Sequence, residues 1–240
     1  MFDTIKDTLN EYEPTAAFQK QLCENWYEKT NSYPKLKELR DFVENNQFGH
    51  GERPFYNLFR LLIEEYMGYK FTFLEIGGHK FQIVCLIKIL ADMANKQVDR
   101  YCISPMNGAE LNIQSDYYVD AEFIHDKFGV SKDYKVIEGY SNDVNIINRA
   151  KYEMKMCDMY YCDGAHDFNT VQSDIINYLP MLNVGGILIM DDCCNGWDLP
   201  QGYFGGIQSV TDAVNSLLPP TVERDDVEFL FNCCHIRVYR

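Results

Sequence analysis

The 240-residue sequence lacks any run of eighteen apolar residues, the length that a helix needs to cross a membrane. We therefore expect no transmembrane helix. The first ten residues also lack the basic start and apolar centre of a secretory signal peptide, which favours a cytoplasmic location. No internal repeat or low-complexity tract is present.

Positive charge is also scarce in this chain. Lys and Arg number 22 against 36 Asp and Glu, so the formal net charge is −14. A nucleic-acid-binding surface needs a basic footprint, so nucleic acid is not expected as a partner. Hydrophobic residues at 46% and charged residues at 24% are typical of a soluble globular protein. The length fits one large domain, or a domain with an N-terminal appendage.

The nine cysteines form no pattern that indicates disulfides or zinc. Their number is odd, and the adjacent pairs at 193–194 and 233–234 lack the C-x₂-C spacing of a zinc site. We therefore expect reduced thiols. Four of them stand inside predicted helices or strands, where cysteine acts as a small buried hydrophobe: Cys85, Cys102, Cys157 and Cys162.

Apolar spacing divides the chain into a helical start and an alternating remainder. The region 1–65 is predicted to be helical, with helices at 16–29, 35–43 and 55–66. Strands are predicted at 71–76, 99–104, 134–138, 157–162, 187–190, 227–231 and 235–239. Helices are predicted between them at 81–94, 119–128, 144–156, 167–182 and 207–218.

This alternation predicts an α/β fold with helices on both faces of a mostly parallel sheet. The last two strands follow each other closely, which indicates a hairpin and one antiparallel strand. We therefore expect a doubly wound, Rossmann-like sheet of seven strands in residues 69–240. Residues 1–68 would form an N-terminal helical cap.

Acidic side chains follow two successive strands at the centre of this pattern. Asp163 comes directly after the strand at 157–162, and Asp191 and Asp192 follow the strand at 187–190. The carboxyl ends of parallel strands meet at one edge, so three carboxylates would gather there and favour Mg²⁺ or Ca²⁺. His166, three residues after Asp163, could serve as a base beside the metal. The alternative is that these acids are only turn or helix-cap residues.

Other candidate residues lie in a glycine turn and in two loops. Gly77-Gly78-His79 joins a strand to a helix, the arrangement in which helix N-terminal amides hold a polar cofactor group. The loops at 47–56 and 193–206 carry residues suited to contact a substrate, and the second loop is long and aromatic. We predict substrate contacts for His50, Arg53, Trp197 and Tyr203. The alternative for His50 and Arg53 is an ordinary surface loop with polar residues.

The order of these motifs resembles the class I S-adenosylmethionine-dependent methyltransferases over roughly residues 71–240. The central unit, 160–192, is most similar to the metal-dependent small-molecule O-methyltransferases. These include the catechol type and the macrocin- and novobiocin-type sugar enzymes. The resemblance implies that Asp163, Asp191 and Asp192 hold Mg²⁺ or another divalent cation, and that His166 is the general base.

The resemblance also implies a site for S-adenosylmethionine. The family's acid-glycine motif matches Glu75 and Gly77, while His79 and Phe81 stand where later glycines usually occur. Ser104 falls where an acid normally binds the ribose, and 139–142 fits the segment that flanks the adenine. The implied cofactor-binding residues are Glu75, Gly77, Gly78, His79, Ser104, Gly139, Ser141, Asn142 and Asp163.

The resemblance implies a methyltransferase that acts on a hydroxyl of a sugar or another polyhydroxylated small molecule. The altered glycine motif motivates an alternative, a methyltransferase-fold protein that binds a ligand or partner without catalysis. A nicotinamide-dependent oxidoreductase is less well supported, because the first turn lacks G-x-G-x-x-G. The N-terminal helices could cover their own site or a neighbour's, so a homo-oligomer stays open.

Overall fold

The computed structural model describes residues 2–48, 54–106, 116–193, 204–220 and 227–240. Its N-terminal part is helical, as predicted. The four helices are α1 (Ile5–Glu11), α2 (Ala16–Thr30), α3 (Pro34–Asn46) and α4 (Phe55–Tyr66). The sequence pattern did not delimit α1. This short helix begins where the Thr4 hydroxyl accepts a hydrogen bond from the N–H of Asp7.

The remaining described residues build a seven-stranded sheet. Its strands are β1 (Lys70–Ile76), β2 (Gln97–Ser104), β3 (Tyr134–Glu138), β4 (Cys157–Cys162), β5 (Leu182–Met190), β6 (Phe229–Cys233) and β7 (Ile236–Tyr239). The strand order is β3-β2-β1-β4-β5-β7-β6. All neighbours from β3 to β5 are parallel, and β7 runs antiparallel to both β5 and β6. The predicted fold class is confirmed.

Five further helices connect the strands in the described part of the chain. They are α5 (Gln82–Met93), α6 (Tyr117–Lys127), α7 (Val144–Glu153), α8 (Phe168–Tyr178) and α9 (Gln208–Leu217). The helix predicted at 167–182 ends early, because Leu179–Met181 tighten into a 3₁₀ turn at Pro180. Strand β5 then begins at Leu182 rather than Ile187, and its Asn183 amide donates to Asp158 at 2.7 Å.

Apolar side chains fill both faces of the sheet. One face packs with α1 to α5 in a core that includes Trp26, Phe59 and Phe73. The other face packs with α7 to α9 around residues such as Tyr160 and Ile175. This burial on both sides explains why the central strands are continuous apolar runs. No helix in the described residues is long and apolar enough to span a bilayer.

The eight described cysteines are buried thiols. Cys85, Cys102, Cys157 and Cys162 are fully or nearly fully covered, as their positions in helix and strand predicted. Cys23 on α2 lies 2.7 Å from the sulfur of Cys234 at the β6–β7 turn.

The strands end together at the edge where the order reverses between β1 and β4. Residues just past a strand donate to the last residues of the neighbouring strand, which keeps the ends level. Asp163 N donates to Ile76 O at 2.9 Å, and Asp191 N donates to Cys162 O at 3.0 Å. Ligands of open α/β sheets bind at such a reversal point.

Candidate functional site

A cavity of about 810 Å³ opens at this edge of the sheet. Its volume lies in the range of small-molecule sites, roughly 300–1,000 Å³. The cavity brings together most of the residues predicted for the cofactor and the metal. Those that line it are Gly77, His79, Ser104, Gly139, Ser141, Asn142, Asp163, His166, Asp191 and Asp192.

The other predicted site residues lie elsewhere. Glu75 and Gly78 do not line the cavity. Glu75 is buried near the end of β1, and Gly78 packs against Cys102. The four predicted substrate contacts, His50, Arg53, Trp197 and Tyr203, lie outside the described residues.

The turn after β1 requires glycine. Gly77 has φ +95°, and a Cβ there would lie 1.7 Å from the carbonyl oxygen of Asp163. A Cβ on Gly78 would lie 2.2 Å from the sulfur of Cys102. The bare backbone lets β1 and β4 end side by side and leaves space above the turn for a ligand.

Phe81 does not obstruct the cavity, although it replaces a glycine of the family pattern. It has φ +60°, a left-handed conformation that glycine adopts more easily, at the start of α5. Its side chain is fully buried in a small cluster with Val84, Cys102 and Met106. Phe81 therefore fills the space between α5 and α6 instead of the space above the turn.

His79, the other departure from the glycine pattern, stacks on Tyr117 of α6. The ring centroids are 5.3 Å apart with an interplanar angle of 15°. Both rings line the cavity beside Gly77. Tyr117 was not predicted as a site residue, because its sequence neighbourhood indicates only a helix start.

The residues after β2 and β3 form the opposite wall. The Ser104 hydroxyl accepts the N–H of Met106 at 3.3 Å. Gly139 has φ +147°, and the Asn142 amide donates to Thr170 of α8 at 3.3 Å. The backbone oxygen of Ser141 accepts the hydroxyl of Tyr178 at 2.9 Å, which fixes this wall to α8.

Glu75 is a buried acid two residues before the glycine turn. It is 1% exposed, and its Oε2 has no hydrogen-bond partner among the described residues. Burial raises the pKa of Glu75 from 4.5 to about 8, and a hydrogen bond from the backbone of Val84 opposes this only in part. The carboxyl group is therefore mostly protonated at neutral pH.

Glu75→Gln is expected to remove a pH-dependent loss of stability. Because the pKa of Glu75 is higher in the folded protein, its contribution is complete below pH 4.5 and is lost as the pH rises through 8. A shift of this size corresponds to about 5 kcal/mol at most. Urea unfolding should show that the free energy of unfolding decreases less from pH 6 to pH 9 in the variant than in the wild type. Equal decreases in the two proteins would contradict a raised pKa at Glu75.

Two carboxylates and an imidazole converge at the acidic end of the cavity. Asp163 and His166 lie between β4 and α8, and Asp192 follows β5. One ligand atom from each lies within 4.8 Å of the others. His166 Nε2 is 2.7 Å from Asp192 Oδ2, and the two side chains are 48% and 13% exposed. The Ser209 hydroxyl of α9 donates to the backbone oxygen of His166 at 2.6 Å.

The acids at this edge are not equivalent. Asp167 caps α8, since its carboxylate accepts the N–H of Thr170 at 3.0 Å, which is the structural role considered as an alternative for all of them. Neither Asp163 nor Asp192 is the N-cap residue of a helix in the described part of the chain. Oxygen ligands of this kind suit Mg²⁺, Ca²⁺ and Mn²⁺, and an imidazole extends the set toward Mn²⁺ and Zn²⁺. The donor set therefore fits a divalent cation.

Asp191 is buried at the cavity wall, and other residues of the protein contact both of its carboxylate oxygens. One carboxylate oxygen accepts a short hydrogen bond from the hydroxyl of Tyr161, which also lies 3.2 Å from Asp163 Oδ2. The other oxygen accepts the N–H of Asp192 at 2.7 Å and lies 3.3 Å from His235 Nε2. Burial and the two neighbouring carboxylates raise the pKa of Tyr161 well above its ordinary value, so its hydroxyl stays protonated.

Tyr161 and His235 were missed in the sequence. Tyr161 stands in an aromatic strand, where tyrosine packs in cores, and its only signal is its place two residues before Asp163. His235 is 72 positions after Asp163 and has no motif around it.

The sheet order and the position of this cavity define the class I S-adenosylmethionine-dependent methyltransferase fold, as the sequence pattern predicted. The profile of the family described as "Methyltransferase domain" matches residues 74–193, half of the chain. The chain therefore belongs to this methyltransferase family. A comparison with curated protein sequences found no match to this chain.

Solved structures agree in fold at low sequence identity. CalS11, described as a TDP-rhamnose 3'-O-methyltransferase of calicheamicin biosynthesis, has a TM-score of 0.58 and 12% identity, over 83% of this chain and 86% of CalS11. SAH-bound PaMTH1 of Podospora anserina has a TM-score of 0.54 and 16% identity, over 91% and 87%. MycE, of the mycinamycin pathway, was solved with Mg and SAH. Its TM-score is 0.51 at 14% identity, over 84% of this chain and 52% of MycE.

Proposed function

We propose that this protein is a metal-assisted, S-adenosylmethionine-dependent O-methyltransferase for a sugar or another polyhydroxylated small molecule. One observation carries the proposal. The glycine turn after β1 and the group formed by Asp163, His166 and Asp192 line the same cavity. A methyl donor on the turn and an acceptor hydroxyl at the acids would therefore lie within one cavity.

The cofactor would lie between the glycine turn and the wall formed after β2 and β3. Gly77 offers backbone without side-chain bulk, and His79 presents its ring on the same side. Ser104, Ser141 and Asn142 offer hydrogen-bonding groups on the opposite wall. SAH in PaMTH1 and MycE supports this ligand class for the fold.

Asp163 and Asp192 would hold the cation, with His166 beside them. Asp191, predicted as a third ligand, already accepts hydrogen bonds at both oxygens, so we propose it as a support for Asp192. A divalent cation, when bound, lowers the pKa of an acceptor hydroxyl and orients it. His166 would receive the hydroxyl proton at the ring nitrogen that does not face Asp192, and Asp192 Oδ2, 2.7 Å from Nε2, would stabilise the charged ring.

The remaining catalytic contribution is positioning. Methyl transfer requires an in-line approach of the acceptor oxygen to the methyl group, and binding both molecules in one cavity favours that approach. CalS11 is a TDP-rhamnose 3'-O-methyltransferase, which supports a sugar hydroxyl as the acceptor. The predicted contacts of His50, Arg53, Trp197 and Tyr203 with the acceptor stay part of this proposal.

Thermal unfolding with cofactor and metal tests the proposal. Metal-stripped protein is heated with S-adenosylhomocysteine, with Mg²⁺, and with both. A ligand at about a hundred times its dissociation constant stabilises the folded state by roughly 2.7 kcal/mol. We expect the midpoint to rise by about 5 to 10 °C with the cofactor product.

Asp192→Asn is the matched variant for the metal. It should keep the increase caused by S-adenosylhomocysteine and lose any increase that depends on Mg²⁺. No shift of the wild type under any condition would favour the alternative, a methyltransferase-fold protein that acts without catalysis.

A further inference from the structure

The turn between β6 and β7 carries a buried histidine that the proposed reaction does not use. His235 is 2% exposed, and its ring lies between Phe55 and Phe204 at centroid distances of 5.3 and 5.0 Å. The neighbouring Cys234 has φ +54°, so the chain turns tightly there. Because Phe204 lines the cavity, His235 lies directly behind the cavity wall.

His235 contacts Cys193 and Phe204, the two described residues that flank 194–203. Its backbone oxygen accepts the N–H of Cys193 at 2.7 Å. Its Nδ1 lies 3.0 Å from the backbone oxygen of Phe204. A single residue of the terminal hairpin therefore fixes the described positions just before and just after this segment.

The same ring reaches the acids. His235 Nε2 lies 3.3 Å from Asp191 Oδ1, the oxygen that also accepts the N–H of Asp192. A carbonyl oxygen can only accept, so Nδ1 donates to Phe204. A neutral imidazole carries one N–H, so both nitrogens carry hydrogen only when the ring is charged; Nδ1 then faces Phe204 and Nε2 faces the Asp191 carboxylate.

Asp191 in turn contacts the backbone of Asp192. Asp192 has φ +57°, a left-handed conformation that costs about 1 kcal/mol or more in a residue other than glycine. The hydrogen bond from its N–H to Asp191 Oδ1 stabilises that conformation, and the conformation turns the Asp192 carboxylate toward His166. Tyr161 holds the other oxygen of Asp191 from the sheet.

We propose that His235 and Tyr161 are positioning residues that hold Asp191 from two sides, and that His235 thereby couples the cavity acids to Cys193 and Phe204. The expected effect on metal affinity rests on the proposed function, whereas the coupling of Asp191 to Cys193 and Phe204 through His235 does not. Removing a residue that hydrogen-bonds to a metal ligand typically weakens metal binding by about 10- to 100-fold.

Three variants separate these contacts. His235→Asn keeps an amide donor near the position of Nδ1 and loses the contact with Asp191. His235→Gln keeps a donor near the position of Nε2 and loses the contact with Phe204. Tyr161→Phe removes only the hydroxyl. Tyr160→Phe is its matched control, because the buried Tyr160 is next to it on β4 and its hydroxyl donates to Asp174 O at 3.4 Å on the other face.

The full-length variants are titrated with Mn²⁺ by electron paramagnetic resonance and compared by amide hydrogen exchange. We expect the Mn²⁺ dissociation constant to rise about 10-fold or more in His235→Asn and Tyr161→Phe, and to change by less than about threefold in His235→Gln and Tyr160→Phe. Exchange at Ile207, whose N–H donates to Asp192 O at 2.7 Å, should accelerate in both His235 variants.

Two results would overturn the proposal. One is Mn²⁺ affinity in His235→Asn and Tyr161→Phe that equals that of Tyr160→Phe. The other is exchange at Ile207 that is unchanged in both His235 variants. If the wild type binds no Mn²⁺, the metal-assisted reaction fails on its own, and the exchange at Ile207 then decides about His235.

Discussion

His166→Ala is expected to lower the turnover of methyl transfer by about 10² to 10⁴, the range that a general base contributes. The ring is half exposed beside the cavity, and its Nε2 lies 2.7 Å from Asp192. Without this base, the acceptor hydroxyl would lose its proton only to water. The measurement is transfer of a labelled methyl group from S-adenosylmethionine to an acceptor found by screening sugars and catechols.

Binding measurements distinguish a base from a ligand at His166. If His166 is the base, the alanine variant binds S-adenosylhomocysteine and Mn²⁺ like the wild type. If it is a metal ligand, Mn²⁺ affinity falls together with turnover, because His166 belongs to the group of three side chains within 4.8 Å. Turnover equal to that of the wild type would exclude both roles.

Gly77→Ala is expected to destabilise the fold by at least about 3 kcal/mol, the upper end of the overpacking range. The new methyl carbon would lie 1.7 Å from the carbonyl oxygen of Asp163, which belongs to the backbone and cannot rotate away. The φ of +95° adds strain of its own. We expect the unfolding midpoint to fall by about 6 to 12 °C, measured by calorimetry.

Gly185→Ala is the matched control for backbone strain. Gly185 has φ +79°, and a Cβ there would meet nothing within 4 Å. It should lose only about 1 to 2 kcal/mol. Equal losses in the two variants would mean that the close approach of β1 and β4 at Gly77 contributes nothing.

The spacing of apolar residues along the sequence predicted most of the helices and strands. The limits of β3, β4 and α4 agree with the sequence pattern to the residue, because each is a continuous apolar or amphipathic run between turn residues. The gathering of acids at one edge also followed from sequence, since the carboxyl ends of parallel strands share an edge. The unpredicted α1 is only seven residues long, too short for a periodic signal.

The direction of individual side chains could not be predicted in the same way. Phe81 stands at a place where bulk could obstruct a cofactor, yet its ring packs against Val84, Cys102 and Met106. The same cluster contains Tyr117 and Ala121 of α6, which lies more than thirty residues away along the chain. A side chain turns toward whichever apolar surface the folded chain offers, and the local sequence does not contain that surface.

The sequence by itself determined the fold class, the glycine turn, and the edge of the sheet where Asp163, Asp191 and Asp192 meet. Only the tertiary structure decided that Asp192 faces His166 while its neighbour Asp191 contacts Tyr161 and His235. Adjacent acids have the same local environment in sequence. They differ in the folded protein because Tyr161 comes from a central strand and His235 from the terminal hairpin, and both reach Asp191.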